Sequence, residues 1–132
     1  MAVFDLSCLP CCTPPICCGF TCENYPATID VAITVISAAN AFCANLFATA
    51  TLTFSGNCAT ETWEWVGTVA NGPSGVLRCN AGVWEFQVES DPLNWHPVSI
   101  LSCSPFHAIC SAHLTNFFGF GCEGDVDFEF TL

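Results

Sequence analysis

Lysine is absent from this 132-residue chain, and arginine occurs once, at Arg78. Set against twelve carboxylates, that leaves a formal net charge of −11. Binding a nucleic acid requires Lys or Arg to replace phosphate counterions, so that class of partner is excluded. An anionic membrane surface is disfavoured by the same shortage, and Schiff-base chemistry lacks its amine. No apolar run approaches the roughly 18 residues of a membrane-spanning helix. The opening Met1-Ala2-Val3-Phe4-Asp5-Leu6 holds no cation and is interrupted at Asp5, unlike a secretory leader. Also missing are a Gly-x-Ser-x-Gly nucleophile elbow, an EF-hand loop and any repeat of solenoid length.

Cysteine, by contrast, is in excess: twelve residues, in the compositional range where a disulfide scaffold is the default. Cys8, Cys11, Cys12, Cys17, Cys18 and Cys22 crowd into a stretch broken by Pro10, Pro14 and Pro15. Cys43, Cys58, Cys79, Cys103, Cys110 and Cys122 are spread singly along the remainder. An even count favours full pairing in an oxidising compartment, with connectivity left open. A chain that is 52% hydrophobic holds a core without such help, so the surplus points to harsh surroundings or to bonds between chains. Three histories fit a cysteine-rich chain with this opening: a leader already removed, release by lysis, or a cytosolic metal–thiolate protein. A virus particle assembled in the cytoplasm and oxidised after release fits the second. The expected location is extracellular or a virion surface.

The chain divides into a Cys/Pro-rich irregular arm, residues 1–25, and a body, residues 26–132. Prolines and adjacent cysteines forbid a regular helix in the arm. In the body the apolar residues alternate with period two, which predicts half-buried strands. Ile29, Val31, Ile33 and Val35 share one face, and Leu46, Ala48, Ala50, Leu52 and Phe54 share another. Trp63 and Trp65 flank Glu64; Trp84, Phe86 and Val88 oppose Glu85, Gln87 and Glu89; Val126, Phe128 and Phe130 oppose Asp125, Asp127 and Glu129. Turn residues such as Asn80-Ala81-Gly82 separate the segments. About eight short strands result, an all-β fold of the β-sandwich or jelly-roll kind. A short helix within Val35 to Phe47, rich in Ala and Asn, is the one exception considered.

Each candidate site competes with a plainer role. The arm thiols could hold tetrahedral zinc or an iron–sulfur cluster. Adjacent cysteines crowd a single metal ion, however, and no cation balances the sulfur charge, so disulfides are preferred over Zn2+. Cys8-Leu9-Pro10-Cys11 is a Cys-x-x-Cys without the βαβ setting of a redox motif. His107 and His113 share a strand face but stand about 20 Å apart at 3.3 Å per residue, too far for one metal ion. Cys103 with His107, or Cys110 with His113, imitates a Cys–His dyad, but cysteines in such a chain are expected to be bonded. Glu64, Glu85, Glu89 and Asp127 could be paired for glycoside hydrolysis, yet each sits where a solvent-facing strand residue belongs. Asp125, Asp127 and Glu129 form an acidic ladder suited to calcium shared between subunits rather than to a closed calcium loop. Trp95, in the polar stretch Asn94-Trp95-His96-Pro97, is the aromatic best placed to stack on a glycan.

Several short elements carry a resemblance: the Cys11-Cys12 and Cys17-Cys18 opening, Pro26-Ala27-Thr28, and Leu77-Arg78-Cys79 followed by Gly82-Val83-Trp84-Glu85-Phe86. Ser102-Cys103-Ser104-Pro105-Phe106 and Cys122-x-Gly before Phe128-Glu129-Phe130-Thr131 complete the set. Together they resemble the small cysteine-rich β-sandwich proteins of phage and environmental bacterial genomes. The resemblance implies a self-contained building or surface module and supplies no catalytic residues. The expected function is therefore a non-enzymatic, self-assembling subunit of an extracellular fibre or virion surface. It would be a homo-oligomer joined through the N-terminal arm and stabilised by disulfides, without a resident cofactor. A secreted carbohydrate-binding module and a metal–thiolate protein are the alternatives.

Overall fold

Alternation of apolar and polar residues leaves each strand with one face to bury, and curling a single sheet onto itself buries all those faces at once. The computed structural model describes residues 22–69, 74–103, 106–117 and 121–132. Cys8, Cys11, Cys12, Cys17 and Cys18 of the expected arm, the side chain of Cys103, and residues 70–73, 104–105 and 118–120 lie outside the described residues. The strands are β1 (Thr28–Ala38), β2 (Phe47–Phe54), β3 (Trp63–Thr68), β4 (Ser74–Asn80) and β5 (Val83–Val88). They continue as β6 (Asp91–Pro97), β7 (Ser99–Cys103), β8 (Phe106–Phe117) and β9 (Cys122–Thr131), with one short helix among the described residues, α1 (Ala41–Ala44), between β1 and β2.

All nine strands belong to one antiparallel sheet, ordered β6-β5-β4-β3-β2-β1-β9-β8-β7. The all-β expectation holds. The connectivity is a meander in which only β1 and β9 pair across a long stretch of sequence. The two outermost strands, β6 and β7, are consecutive in the chain and separated by Val98 alone, whose N–H donates to the Trp84 carbonyl at 3.0 Å. One continuous segment thus leaves β5 and joins β8, drawing the sheet into a nearly closed barrel. β6 is the strand that alternation alone missed, because Pro92 and Pro97 read as loop residues. Proline is tolerated there because β6 is an edge and pairs only with β5 among the described strands.

The core forms from the inward faces. Ile29, Val31, Ile33 and Val35 of β1, Trp63 and Trp65 of β3, Trp84 and Phe86 of β5, and Val126, Phe128 and Phe130 of β9 are all buried. Rings meet across the interior: Phe86 lies 4.7 Å from Phe128 and 5.0 Å from Phe130, and Trp84 lies 5.1 Å from Phe106. Packing begins before Pro26, since Tyr25 stacks 4.2 Å from Phe54 and the Pro26 carbonyl accepts from Trp65 Nε1.

Local chemistry fixes the corners. The Asn40 side chain accepts from the Phe42 N–H and caps α1, whose Cys43 turns inward. β4 and β5 join through Ala81 and Gly82, both at positive φ (53° and 85°), as a two-residue hairpin with right-handed twist requires. Gly124 on β9 faces the β1 bulge, where an added Cβ would stand 2.0 Å from the Ser37 carbonyl oxygen.

Candidate functional site

The most densely functionalised surface is the outer face of β2, β1, β9 and β8. Register alone sets its rows. Thr51, Asp30, Thr131 and His107 stand abreast across the four strands. The next row is Thr49, Ala32, Glu129 and Ile109, and the next is Phe47, Thr34, Asp127 and Ser111. The small Ala32 side chain leaves a depression of about 440 Å3, lined by Asp30, Thr49, Thr51, Glu129 and Thr131 around it. The Thr51 hydroxyl donates to Asp30 at 3.0 Å, and His107 Nε2 contacts Glu129 at the far rim.

Further along β9 each carboxylate has its own partners. Ser111 donates to Asp127. Asp125 accepts from Ser37 at 2.8 Å and meets His113 Nδ1 at 3.0 Å, while His113 Nε2 meets Glu123 at 3.1 Å. Both ring nitrogens of His113 therefore face carboxylates, and only the imidazolium donates from both. The bonds to Asp125 and then Glu123 raise the His113 pKa above its ordinary 6.5. The same contact, with the Ser37 hydroxyl second, lowers Asp125 below its ordinary 3.8.

This arrangement places bases and hydroxyls without joining them into a nucleophilic pair. Ser37 and His113 both bind Asp125 rather than each other, so no base is positioned on the hydroxyl. The Cys110–His113 pairing is ruled out by parity: Cys110 points into the core and His113 points to solvent. The three carboxylates expected to form a calcium ladder do share one face. Alternate strand residues are nevertheless about 6.6–7 Å apart, whereas calcium oxygens sit about 2.3–2.6 Å from the ion. Among the described residues, no group of three or more His, Cys, Asp or Glu is placed to hold a metal ion.

Trp95 is half-buried, and its face is covered. The Arg78 guanidinium carbon lies 3.6 Å from the ring centroid, and Arg78 also bridges to Glu85 at 2.9 Å. Trp63, Trp65 and Trp84 are core residues. His96 pairs with Asp91 on β6 at 2.9 Å, on a different strand from His107 and His113 of β8.

Of the cysteines expected in disulfides, Cys43 and Cys122 are bonded across 79 residues of sequence, and Cys79 is disulfide-bonded as well. Cys22, Cys58 and Cys110 are thiols. Cys110 lies inside the barrel, where burial first and the Asp127 charge second push its pKa up to about 12. The Cys22 thiol is raised to about 11, chiefly by a side-chain hydrogen bond with Cys58. Nothing in the local pattern of residues announces the Arg78–Trp95 contact, the Ser37–Asp125 bond or the Cys22–Cys58 contact. Each joins segments whose proximity is not written in any local pattern.

Compared with protein-family models, with curated proteins and with solved structures, the chain finds no match.

Proposed function

We propose that this chain is a non-enzymatic structural protein, a self-assembling subunit of an extracellular fibre or a virion surface, with disulfides joining copies. The observation that carries the reading is a count. Twelve cysteines would pair off within one chain, but Cys110 is a thiol enclosed in the barrel. Removing it leaves an odd number, so at least one further sulfur has no partner in its own chain. A bond to a second copy satisfies it, and residues 1–21, with five cysteines, offer the means to reach that copy.

Two surface features support the same reading. Ile36 and Phe47 are 58% and 64% exposed and flank the α1 connection, on β1 and at the start of β2. Neighbouring apolar groups left in water favour burial against another molecule. The outer carboxylates repel an identical face, so contact between such faces is favoured by shared calcium or by protonation. The Cys43–Cys122 bond is consistent with an oxidising environment.

The test is the mass of unreduced protein, by light scattering and denaturing gel, before and after a phosphine reductant. Covalent oligomers that collapse on reduction are expected, as is their weakening by Ile36→Ser with Phe47→Ser. A monomer carrying Cys110 and one other alkylatable thiol, unchanged by reduction, overturns the reading.

A second reading, glycan binding, draws on the depression around Ala32, whose carboxylates and threonine hydroxyls suit sugar hydroxyls. Trp95 is not among the residues that line this depression, and Arg78 sits over one face of its ring. Glycan-array binding lost on Ala32→Trp would favour this reading.

A further inference from the structure

We propose that Cys22 and Cys58 are the two halves of an intrachain disulfide, a clasp that pins the N-terminal segment to the β2–β3 loop. This does not rest on the assembly reading above.

Two independent sets of contacts bring these residues together. The first is the sulfur pair itself: the side chains are hydrogen-bonded to each other, Cys22 exposed and Cys58 half-buried. The second is the packing on either side. Three residues after Cys22, Tyr25 lies against Phe54 at 4.2 Å and Trp63 at 5.7 Å, the aromatic residues at the two ends of the β2–β3 loop. Pro26 then accepts from Trp65, and Ala27 accepts from the Phe54 N–H at 2.9 Å. The loop is held in its own shape by the Asn57–Thr62 bridge and by the Asn57 side chain, which accepts from the Ala59 N–H at 2.8 Å. Both cysteines are therefore carried on segments fixed against the same aromatic cluster. Neither has to search for the other, which is the condition that makes closure favourable.

The chemistry balances with a small disulfide, such as oxidised glutathione, as the oxidant. The Cys58 thiolate attacks one sulfur of the oxidant, forming a mixed disulfide and releasing one small thiol. Cys22 then gives up its proton and attacks the Cys58 sulfur. The protein S–S bond forms and the second small thiol leaves. Two protein thiols are oxidised, and one small disulfide is reduced to two thiols. Attack requires the Cys22 thiolate, so the second step is expected to quicken as pH rises above neutrality.

The clasp has a consequence for the sulfur count. With Cys22–Cys58 and Cys43–Cys122 closed and Cys110 enclosed, an odd number of cysteines remains. The unpaired sulfur then belongs neither to this clasp nor to the Cys43–Cys122 bond. The clasp also holds residue 22 to the body, so the chain before it departs from a defined point beside the β2–β3 loop.

The experiment uses the full chain, incubated with oxidised glutathione, blocked with N-ethylmaleimide and digested with pepsin at acid pH to prevent exchange. Mass spectrometry of the monomer fraction is expected to show a peptide containing Cys22 linked to one containing Cys58, and reductant should abolish it. In Cys22→Ser the Cys58 thiol should take up maleimide, and in Cys58→Ser the Cys22 thiol should do so. The double variant should lose several degrees of thermal stability relative to oxidised protein. Maleimide on both residues of the oxidised wild-type chain overturns the proposal, as does either residue linked to a different cysteine. A Cys22–Cys58 link confined to covalent dimers also overturns it, while leaving the assembly reading intact. Because the decisive map is made on the wild-type chain, poor folding of a variant does not weaken the test.

Discussion

The guanidinium of Arg78 sits over Trp95, its carbon 3.6 Å from the ring centroid, and the same group bridges to Glu85. The only Lys or Arg in the chain is thus committed within its own body. It stands on β4 and reaches β5 for the carboxylate and β6 for the ring, so it ties three strands near one edge of the sheet. Any partner that neutralises the outer carboxylates must bring its own cations.

Replacing Arg78 with alanine should expose the Trp95 ring and cost about 1 kcal/mol, since the ion pair is partly solvated and the stack supplies most of the effect. Lysine should fall between the two, keeping the charge but losing the planar overlap. Thermal unfolding measures the cost. Acrylamide quenching of tryptophan emission, against a Trp95→Phe control, measures the exposure.

The bond between Cys43 and Cys122 joins α1 to the first residue of β9 and so ties the start of the meander to its end. Exchanging both for alanine should lower stability by about 2–4 kcal/mol, mostly by freeing the unfolded chain. A lower urea midpoint with a larger m-value, as the denatured ensemble expands, is the expected signature. An unchanged midpoint would contradict it.

His113 carries a pH dependence whose sign follows from its two carboxylate partners. Its folded pKa is raised, so its contribution is complete below about 6.5 and is lost as pH rises through the higher folded value. Asp125 is lowered, so its contribution is present above about 3.8 and is lost as pH falls through the lower folded value. The contact between β8, β9 and Ser37 of β1 is therefore tightest between those limits. NMR titration should place His113 above 6.5, and Asp125→Asn should bring it back toward that value. A His113 that titrates at or below 6.5 in the unmodified protein would remove this dependence.

Ala81 occupies a left-handed position in the β4–β5 hairpin, φ 53°, where a Cβ is unfavourable. Asparagine tolerates that conformation and precedes glycine in the favoured two-residue turn, so Ala81→Asn should add about 0.5–1 kcal/mol. Differential scanning calorimetry checks the direction; a loss of stability would mean the turn relaxes in solution.

Much of the architecture was legible because burial in a curled sheet imposes a local rule. Trp84, Phe86 and Val88 point inward and Glu85 and Gln87 outward, as alternation required, and the same holds for Val126, Phe128 and Phe130 against Asp125, Asp127 and Glu129. The turn at Ala81-Gly82 was readable from its turn residues, and the short helix after β1 falls within the Ala- and Asn-rich stretch Val35 to Phe47 where one was considered. β6 was not, because an edge strand is free to carry the prolines that mark a loop elsewhere.

What a face does once it is outward depends on its neighbours, and that was decided only by the fold. Composition and periodicity alone determined an acidic, cysteine-rich, all-β chain in which Trp84, Phe86, Phe128 and Phe130 turn inside and the carboxylates alternating with them turn outside. They could do so because hydration and side-chain direction act residue by residue. Which carboxylate meets which histidine, that Cys110 is sealed away unpaired, that Arg78 covers Trp95, and that Cys22 stands beside Cys58 were settled by tertiary structure. Those relations depend on strand order and register: β1 lies against β9 and the β6–β7 segment closes the barrel, bringing together residues that no short stretch of chain can relate.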